Sequence, residues 1–365
     1  MVGLYIHIPF CRRKCGYCTF ASAAGREEAM AAYVGAVVRE AEAYRGETAD
    51  TVFLGGGTPS LLPPALLGRL LEGVNKSIAF TPGAEVSLEA NPESTDAAAA
   101  RAWRALGVTR VSLGLQAVQD ELLRAIGRVH TCADFLAALR AVEAAGFAHI
   151  NADLMYALPG QTVRQAEESA RAVCALGIDH LSAYALTLEE GAPLFGCPQP
   201  DEETDRAMFH AIEAVAEKAG FARYEISNFA RPGGQCRHNL KYWRVEDYVG
   251  LGAAAHSCCG GERYGNLSDL DEYIGAIRTG ACARAFTQRR TPADCAEEAV
   301  MLKTRLCEGM QRGELPATPR MEACLARLEE GGMLVQSGGR VALTGAGMDV
   351  QNSVVVELAL ALEGD

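Results

Sequence analysis

Three cysteines near the start of the chain have the type and spacing that most directly indicate chemistry. Cys11, Cys15 and Cys18 stand in the run Cys-Arg-Arg-Lys-Cys-Gly-Tyr-Cys. Thiolates clustered on one loop can hold zinc or an iron–sulfur cluster. A structural zinc ion needs four protein ligands, and no fourth Cys or His stands on this loop. A four-iron cluster held by three cysteines keeps one iron open, which favours a chemical role. Structural zinc, or three cysteines without a metal, remain the alternatives.

Other polar and glycine residues follow predicted strands further along the chain. A glycine triplet occupies 55–57, and Glu89, Gln116 and Asp153 stand at three later strand ends. Glycines without side chains allow a ligand to approach the backbone closely, although turns also use glycine often. A carboxylate or amide there can accept hydrogen bonds, and Arg128 can pair with a carboxylate ligand. Each of these residues alone is more often a cap or a surface charge.

Alternating strand and helix patterns over residues 1–190 predict an α/β fold that would position these side chains. Strand-like segments occur at 2–8, 51–54, 85–89, 109–115, 148–154 and 180–184, with helical spacing between them. Such alternation predicts a parallel sheet, either an open doubly wound sheet or a barrel. Both folds place ligands at the carboxyl ends of their strands.

The composition excludes several classes of protein. The chain has 365 residues, 49% of them hydrophobic and 22% charged, which excludes global disorder. Its net charge of −12 argues against a general nucleic-acid binder, because phosphate contacts need a basic face. No apolar run reaches about 18 residues, and the start of the chain lacks the features of a signal peptide. With 13 cysteines, an odd number, a metal site is favoured over a disulfide framework, and we expect a cytoplasmic protein.

The C-terminal region has a different pattern. Helices at 296–306 and 319–330, a hairpin at 333–343 and a last helix at 350–362 resemble a winged-helix arrangement. Residues 291–365 carry 12 acids and 6 bases, a net charge of −6, so a packing or protein-contact role is favoured over DNA binding.

Six sequence blocks, in order, resemble a known family. They are YIHIPFC (5–11), GGGTPS (55–60), EANP (89–92), SLGLQ (112–116), GRVH (127–130) and DLMYALPGQT (153–162). The Cys-x3-Cys-x2-Cys spacing, with Tyr17 before the third cysteine, resembles the radical S-adenosylmethionine (SAM) superfamily. The blocks together resemble the oxygen-independent coproporphyrinogen III oxidase family and its heme-chaperone relatives. The resemblance extends to about residue 260.

This resemblance implies cofactors and contacts. A 4Fe-4S cluster on the three cysteines would leave one iron to chelate SAM, and the protein would orient SAM and exclude water. The residues implied as SAM contacts are Tyr5, Tyr17, Gly56, Gly57, Thr58, Glu89, Gln116, Arg128 and Asp153. Tyr17 would stack near the adenine, and a flavodoxin or ferredoxin would supply electrons if SAM is cleaved.

The resemblance also implies a fold: a partial parallel (β/α)6-type barrel of the radical SAM kind, with the cluster at its C-terminal mouth. A small α+β, winged-helix-like C-terminal domain would follow it. We expect a radical SAM core over 1–190, a barrel extension with a heme-binding segment over 191–290, and the C-terminal domain over 291–365.

Two departures favour the chaperone branch. The family's oxidases carry a further cysteine two positions after the third, where this chain has Phe20. They also carry an extension before the first strand, whereas the predicted strand at 2–8 opens this chain. The first hypothesis is therefore a heme chaperone that passes heme to an acceptor protein. The alternative is an oxygen-independent coproporphyrinogen III oxidase, which decarboxylates propionate side chains.

A second motif concerns heme. His238, Asn239, Tyr242 and Trp243 resemble the His-Asn-x-x-Tyr-Trp motif that the chaperone branch uses for heme binding. An imidazole is an axial ligand for heme iron, and aromatic rings supply flat apolar faces. Without the resemblance, a histidine in a polar loop is more often only hydrogen-bonded, and Cys236 is a possible alternative ligand. The other histidines, including His256, are predicted to be structural.

Overall fold

Strands and helices alternate along the chain in the computed structural model, which describes residues 1–362. The strands are β1 (Val2–Ile8), β2 (Phe10–Cys11), β3 (Ala23–Ala24), β4 (Thr48–Gly56), β5 (Ala79–Ala90), β6 (Arg110–Gln116), β7 (His149–Tyr156), β8 (His180–Ala185), β9 (Ala222–Glu225), β10 (Asn228–Ala230), β11 (Tyr248–Leu251), β12 (His256–Cys259), β13 (Glu262–Asn266), β14 (Arg284–Arg289), β15 (Met310–Gln311), β16 (Leu334–Ser337) and β17 (Arg340–Leu343). The α-helices are α1 (Met30–Ala41), α2 (Pro64–Asn75), α3 (Ala97–Ala105), α4 (Asp120–Ala125), α5 (Cys132–Ala144), α6 (Val163–Cys174), α7 (Glu202–Lys218), α8 (Arg237–Trp243), α9 (Leu270–Thr279), α10 (Pro292–Lys303), α11 (Pro319–Glu330), α12 (Gly345–Asp349) and α13 (Gln351–Leu362).

Twelve of these strands form one sheet, in the order β14-β13-β12-β11-β1-β4-β5-β6-β7-β8-β10-β9. The strands from β11 to β8 run parallel to their neighbours, and the strands outside them are antiparallel. Within the described chain the sheet does not close, because its edges are β14 and β9. The partial parallel barrel with six strand–helix units, from β1 to β8, is therefore confirmed.

The two faces of the barrel strands differ in chemistry. In β1 the fully buried Leu4, Ile6 and Ile8 belong to the main hydrophobic core, which includes apolar residues of α1 and α2. The residues between them point to the other face, where Tyr5 is paired in register with Phe53 of β4. Parallel strands are commonly buried on both faces, and here one face is apolar and the other carries polar side chains.

Capping side chains define where the outer helices begin. Thr131 before α5 and Thr162 before α6 each form a capping box, and Asp96 accepts hydrogen bonds from two backbone amides of α3. Such caps satisfy the free N–H groups at a helix start. These caps fix where each helix begins. The helices themselves follow the strands, as the sequence pattern predicted.

The local sequence of the segment at 250–261, which is rich in small residues, does not predict its structure. It contains the end of β11 and all of β12, and β11 pairs with β1 in parallel on the far side from β4. The heme-motif segment, expected to be a loop, is the helix α8. Both depend on contacts with residues far along the chain, which local patterns do not encode.

The C-terminal region has a hydrophobic core of its own, formed by residues such as Met321, Leu325 and Leu358. It contains α10, α11, the β16–β17 hairpin and α13, so the predicted helix–helix–hairpin–helix order is confirmed. It contacts the barrel where Arg305 forms an ion pair with the buried Glu225 at 3.0 Å. No helix within residues 1–362 is long and apolar enough to cross a membrane.

Candidate functional site

The cysteine loop lies at the carboxyl ends of the barrel strands. It is fixed by backbone hydrogen bonds, from Gly16 N–H to the Ile126 carbonyl at 3.0 Å and from Leu194 N–H to the Gly16 carbonyl at 2.8 Å. The three cysteines are half-buried and line one cavity of about 330 Å³, which we call the mouth cavity. The loop is therefore held by segments far away in sequence, at the position that the fold predicts for a ligand.

Two of the three sulfur atoms already accept polar contacts. Thr58 Oγ1 donates to Cys11 Sγ at 3.6 Å, and Arg128 Nη1 donates to Cys15 Sγ at 3.6 Å. Burial raises the pKa of Cys18 above its usual value, although a backbone hydrogen bond opposes this shift. Donors near the sulfurs favour thiolates, which are the forms that bind metal.

The donor set of the mouth cavity fits a cluster better than structural zinc. Within residues 1–362, its lining residues include the three loop cysteines but no fourth cysteine and no histidine. Structural zinc takes four such ligands, whereas three thiolates can hold a four-iron cluster, one on each of three irons. The donor set therefore suits a 4Fe-4S cluster.

Glycines at the end of β4 leave the space beside the cysteines open. Gly56 has a φ of 112°, and a Cβ there would lie 2.4 Å from His7 Cε1. A Cβ on Gly57 would lie 2.8 Å from the Phe10 carbonyl oxygen and 3.1 Å from Cys11 Sγ. These glycines are thus required by close approach and not only by a turn.

Arg128 is the partly buried cation of the mouth cavity, which the exposed Arg13 and Lys14 also line. Its Nη2 donates to Asn91 Oδ1 at 2.9 Å and to the Gly114 carbonyl at 2.8 Å. Its buried Nε has no hydrogen-bond partner among the described residues. A Cβ on Gly114 would come within 2.6 Å of Nη2, so the glycine makes room for the guanidinium. An unpaired buried N–H beside a cavity suits an anionic ligand such as a carboxylate.

Two carboxylates face the same cavity. Glu89 accepts a hydrogen bond from the Gly56 amide at 3.1 Å, while burial and the charge of Asp153 raise the pKa of Glu89 to about 7. Burial also raises the pKa of Asp153, although hydrogen bonds from Asn151 and Ser112 oppose this. Both groups are acceptors for hydroxyl or ammonium donors of a ligand.

The structure brings most of the predicted SAM contacts together. Those that line the mouth cavity are Tyr17, Gly56, Gly57, Thr58, Glu89, Gln116, Arg128 and Asp153. Gln116 has a φ of 75° and accepts a hydrogen bond from Tyr184 Oη at 3.3 Å. A left-handed backbone at a non-glycine residue is strained, and such strain clusters at functional sites.

Tyr5 is the exception. It lines a second cavity of about 390 Å³, which shares Phe20, Gly56 and Glu89 with the mouth cavity. Its hydroxyl forms a hydrogen bond with His7 Nδ1 at 3.0 Å. Tyr5 therefore lies in the neighbouring cavity and not in the one that the cysteines line.

Several further residues of the mouth cavity were not predicted. Asn91, Ser112 and Gly114 belong to the blocks at 89–92 and 112–116, yet their roles as partners of Arg128 and Asp153 appear only in the structure. Tyr184 lies near the end of β8. The rule that ligands bind at the carboxyl ends of strands is the signal that could have identified it from the sequence.

His238 is fully buried in α8 and not open to a ligand. Its Nδ1 forms a hydrogen bond with Thr51 Oγ1 at 2.9 Å, and its Nε2 with Tyr242 Oη at 2.8 Å. Its ring stacks on Phe53 at 5.3 Å, and burial lowers its pKa to about 3. Because both ring nitrogens are occupied, the expected axial ligation of heme iron by His238 does not fit this conformation.

The other residues of the heme motif lie in different surroundings. Asn239 is half-buried on α8. Tyr242 lines the second cavity. Trp243 packs at the contact with the C-terminal region, with the Arg305 guanidinium 4.4 Å from its ring centre. The motif therefore does not form one heme-binding surface in this structure.

Comparisons with known proteins agree with this geometry. Residues 5–173 match the model of the Radical SAM superfamily, and residues 291–350 match the HemN C-terminal domain. A heme chaperone HemW from Mycobacterium tuberculosis is 38% identical, over 97% of this chain and 93% of that protein. The chain belongs to the HemW family of the radical SAM superfamily. The HemW of Bacillus subtilis is 32% identical over 97% of this chain and 98% of its own length.

The fold has a solved counterpart. The structure of the coproporphyrinogen III oxidase HemN from Escherichia coli aligns with a TM-score of 0.82 and 22% identity. The alignment covers 99% of this chain and 89% of that one. At this identity the likeness shows that HemW-family and HemN chains share a fold.

Proposed function

We propose that this protein is a heme chaperone, which binds a 4Fe-4S cluster, SAM and heme and passes the heme to an acceptor protein. The observation that carries this proposal is the end-to-end match with relatives named heme chaperone HemW, at 32% and 38% identity. Phe20, in place of the further cysteine of the oxidases, supports it.

Cys11, Cys15 and Cys18 would hold the cluster in the mouth cavity. When bound, the cluster supplies an open iron to chelate SAM and an electron that can cleave its sulfonium bond. The chain itself orients and encloses the ligand. Arg128 would pair through its free Nε with the SAM carboxylate, while Glu89 and Asp153 would accept from the amino group and the ribose hydroxyls. Gly56 and Gly57 would let the methionine part approach the backbone.

The setting follows from the same proposal. All thirteen cysteines are unpaired in the described chain, which suits a reducing compartment, and we place the protein in the cytoplasm. A flavodoxin or ferredoxin would supply the electron wherever SAM is cleaved. The acceptor would be a protein that requires heme.

The test is a titration of the full chain, anaerobically reconstituted with iron and sulfide, with ferric heme, followed by mixing with a heme-free acceptor protein. We expect a saturable Soret band on the first step and its transfer to the acceptor on the second. Absence of a saturable heme complex would overturn the proposal.

A coproporphyrinogen III oxidase is the second candidate, because the HemN structure shares the fold over nearly the whole chain. An anaerobic assay with dithionite, SAM and coproporphyrinogen III separates the two functions. We expect no protoporphyrinogen, and production of protoporphyrinogen at a catalytic rate would favour the oxidase.

A further inference from the structure

The second cavity has a wall of aromatic side chains. Tyr5, Tyr242 and Tyr248 line it, together with the rim residues Phe20 and His256. Its volume of about 390 Å³ falls within the range of roughly 300–1,000 Å³ for small-molecule sites. Because it opens to solvent beside the mouth cavity, a flat ligand in it could remain partly exposed.

The rings of this wall hold one another in place. Tyr242 and Tyr248 meet edge to face, with ring centres 4.6 Å apart and planes at 87°. Tyr5 stacks on Phe53 with the planes at 22°. Phe20 is 67% exposed and lines both cavities. Rigid aromatic faces of this kind match a planar apolar ring system such as a porphyrin.

Two histidines line the cavity, and only one has free ring nitrogens. His7 shares its Nδ1 with Tyr5 Oη at 3.0 Å and its Nε2 with the Ala21 carbonyl at 2.7 Å. His256 is exposed, and its ring makes no hydrogen bond or ion pair within the described chain. An unpartnered imidazole at the edge of an aromatic cavity is a ready metal ligand.

Local packing fixes the direction of the His256 ring. It meets Phe286 edge to face at 5.5 Å. Gly265 lies opposite His256 in β13, and a Cβ there would be 3.1 Å from the imidazole and 2.5 Å from the Phe286 ring. The glycine therefore makes room for both rings, which leaves the imidazole oriented by packing and not by hydrogen bonds.

A strained turn places His256 at the cavity. Ala254 lines the cavity and has a φ of 59°, a left-handed conformation that is strained for a residue with a side chain. Backbone hydrogen bonds of 2.8 Å to the Leu267 carbonyl and 2.9 Å from Asn266 to Ala255 hold this turn. Strain kept by surrounding contacts is typical of segments that position a functional group.

We propose that His256 is an axial ligand to the iron of a heme seated in the second cavity, an inference that rests on the heme-carrying function proposed above. A neutral imidazole nitrogen of His256 forms the bond to ferric iron and displaces a water ligand, so no electron moves and no group is transferred. The aromatic wall contacts the porphyrin face.

An exposed ligand suits delivery better than the buried His238. Heme on His256 can leave towards an acceptor without unfolding of α8, whereas ligation by His238 would first break its bonds to Thr51 and Tyr242. Loss of those bonds would leave buried polar groups unpaired, which is unfavourable.

The test compares four full-length chains, each anaerobically reconstituted and titrated with ferric heme: wild type, His256→Ala, His256→Cys and His210→Ala. We expect His256→Ala to weaken heme binding by at least about tenfold, because even outer-shell partners of a metal have effects of that size. His256→Cys should bind with the absorption and EPR spectra of a thiolate-ligated heme. His210, a partly exposed histidine on α7 that pairs with Asp349, is the matched control, and His210→Ala should bind like wild type.

The outcomes separate this inference from the function on which it rests. If wild type binds heme and His256→Ala binds with the same affinity and spectrum, the site is overturned while the chaperone function stands. A histidine-ligated spectrum in His256→Cys overturns it in the same way. If wild type forms no saturable heme complex, the proposed function fails and the site fails with it.

Discussion

The charge states of individual side chains in the mouth cavity depend on the groups around them. Glu89 and Asp153 approach each other in a buried setting, and Arg128 is the partly buried cation of the same cavity. Ionisation of two neighbouring buried carboxylates is unfavourable, so Glu89 holds its proton to a pH of about 7. A ligand that donates hydrogen bonds or positive charge to this pair would favour the ionised form.

Replacement of Glu89 should change how stability depends on pH. The folded chain holds the Glu89 proton to a pH of about 7, while the unfolded chain loses it near 4.5. The free energy of unfolding of the cluster-free wild type should therefore decrease as the pH rises between these values. Relative to Glu89→Gln, this decrease should be about 1–3 kcal/mol. Urea unfolding at pH 5 and pH 8 measures this difference. Glu72→Gln, an exposed change, should keep the wild-type slope, and equal slopes in Glu89→Gln would contradict the prediction.

Each cysteine of the loop should be necessary for the cluster. Cys15→Ser removes one of three thiolates, so the chain should retain little iron and sulfide after anaerobic reconstitution, against about four irons in wild type. Chemical iron and sulfide analysis checks this. Cys282→Ser replaces an exposed cysteine outside the loop and should keep the full content. Full retention of iron in Cys15→Ser would exclude the three-cysteine cluster.

At the scale of elements, strand ends and the loops after them set the distances within the site. The end of β4 lies against the turn that carries Cys11, because Gly57 N–H donates to the Ile8 carbonyl at 2.9 Å and Thr58 N–H to the Phe10 carbonyl at 2.8 Å. On the other side of the barrel, α8 is fixed to the interior through Glu85, which accepts from the His238 amide at 3.0 Å and forms a buried ion pair with Arg110. Contacts separate from those of the cysteine loop therefore hold α8 against the barrel, including the hydrogen bond between His238 and Thr51.

A side chain at the end of β4 should displace the cysteine loop. In Gly57→Ala the new Cβ would lie under 3.0 Å from two backbone carbonyl oxygens and 3.1 Å from Cys11 Sγ, so the backbone must shift. We expect a reduced iron content and a weaker affinity for SAM, measured by iron analysis and calorimetry. Gly275→Ala is the matched control, because nothing lies within 4 Å of its Cβ position in α9. Its iron content should match wild type, and the same content in Gly57→Ala would refute the close-packing argument.

At the scale of the whole molecule, the barrel and the C-terminal region meet through both exposed and buried contacts, and the buried ones lie at Glu225. Glu225 of β9 is fully buried and pairs with Arg305, and Leu306 packs against Tyr224 in a small hydrophobic cluster. The C-terminal region keeps its own core beyond this contact. A buried ion pair is costly to break because the remaining charge has no partner.

Loss of Arg305 should therefore destabilise the junction. Arg305→Ala leaves the buried Glu225 carboxylate without a cation, with hydrogen bonds only from Ser227 and Asn228, so unfolding should become about 3–5 kcal/mol easier. Thermal and urea unfolding measure this, and Arg305→Ala combined with Glu225→Gln should recover part of the loss. Arg327→Ala, which removes an exposed pair with Glu357, should leave stability close to that of wild type. If Arg305→Ala and Arg327→Ala changed stability by similar amounts, this would contradict a structural role for the junction.

The sequence by itself determined the cysteine loop, the strand–helix order and most of the residues at the strand ends. These depend on local spacing and on the rule that parallel strands end at the same edge of a sheet. Glu89, Gln116 and Asp153 stand far apart in the chain, yet that rule predicts that they meet, and they do.

Only the tertiary structure decided the surroundings of the histidines. His238 has the sequence context of a ligand but is enclosed by Thr51, Phe53 and Tyr242, whereas His256, predicted to be structural, faces an open aromatic cavity. Burial and hydrogen-bond partners come from strands and helices that are distant in sequence. Short motifs therefore identify the residue types of a site, while packing decides which of them can reach a ligand.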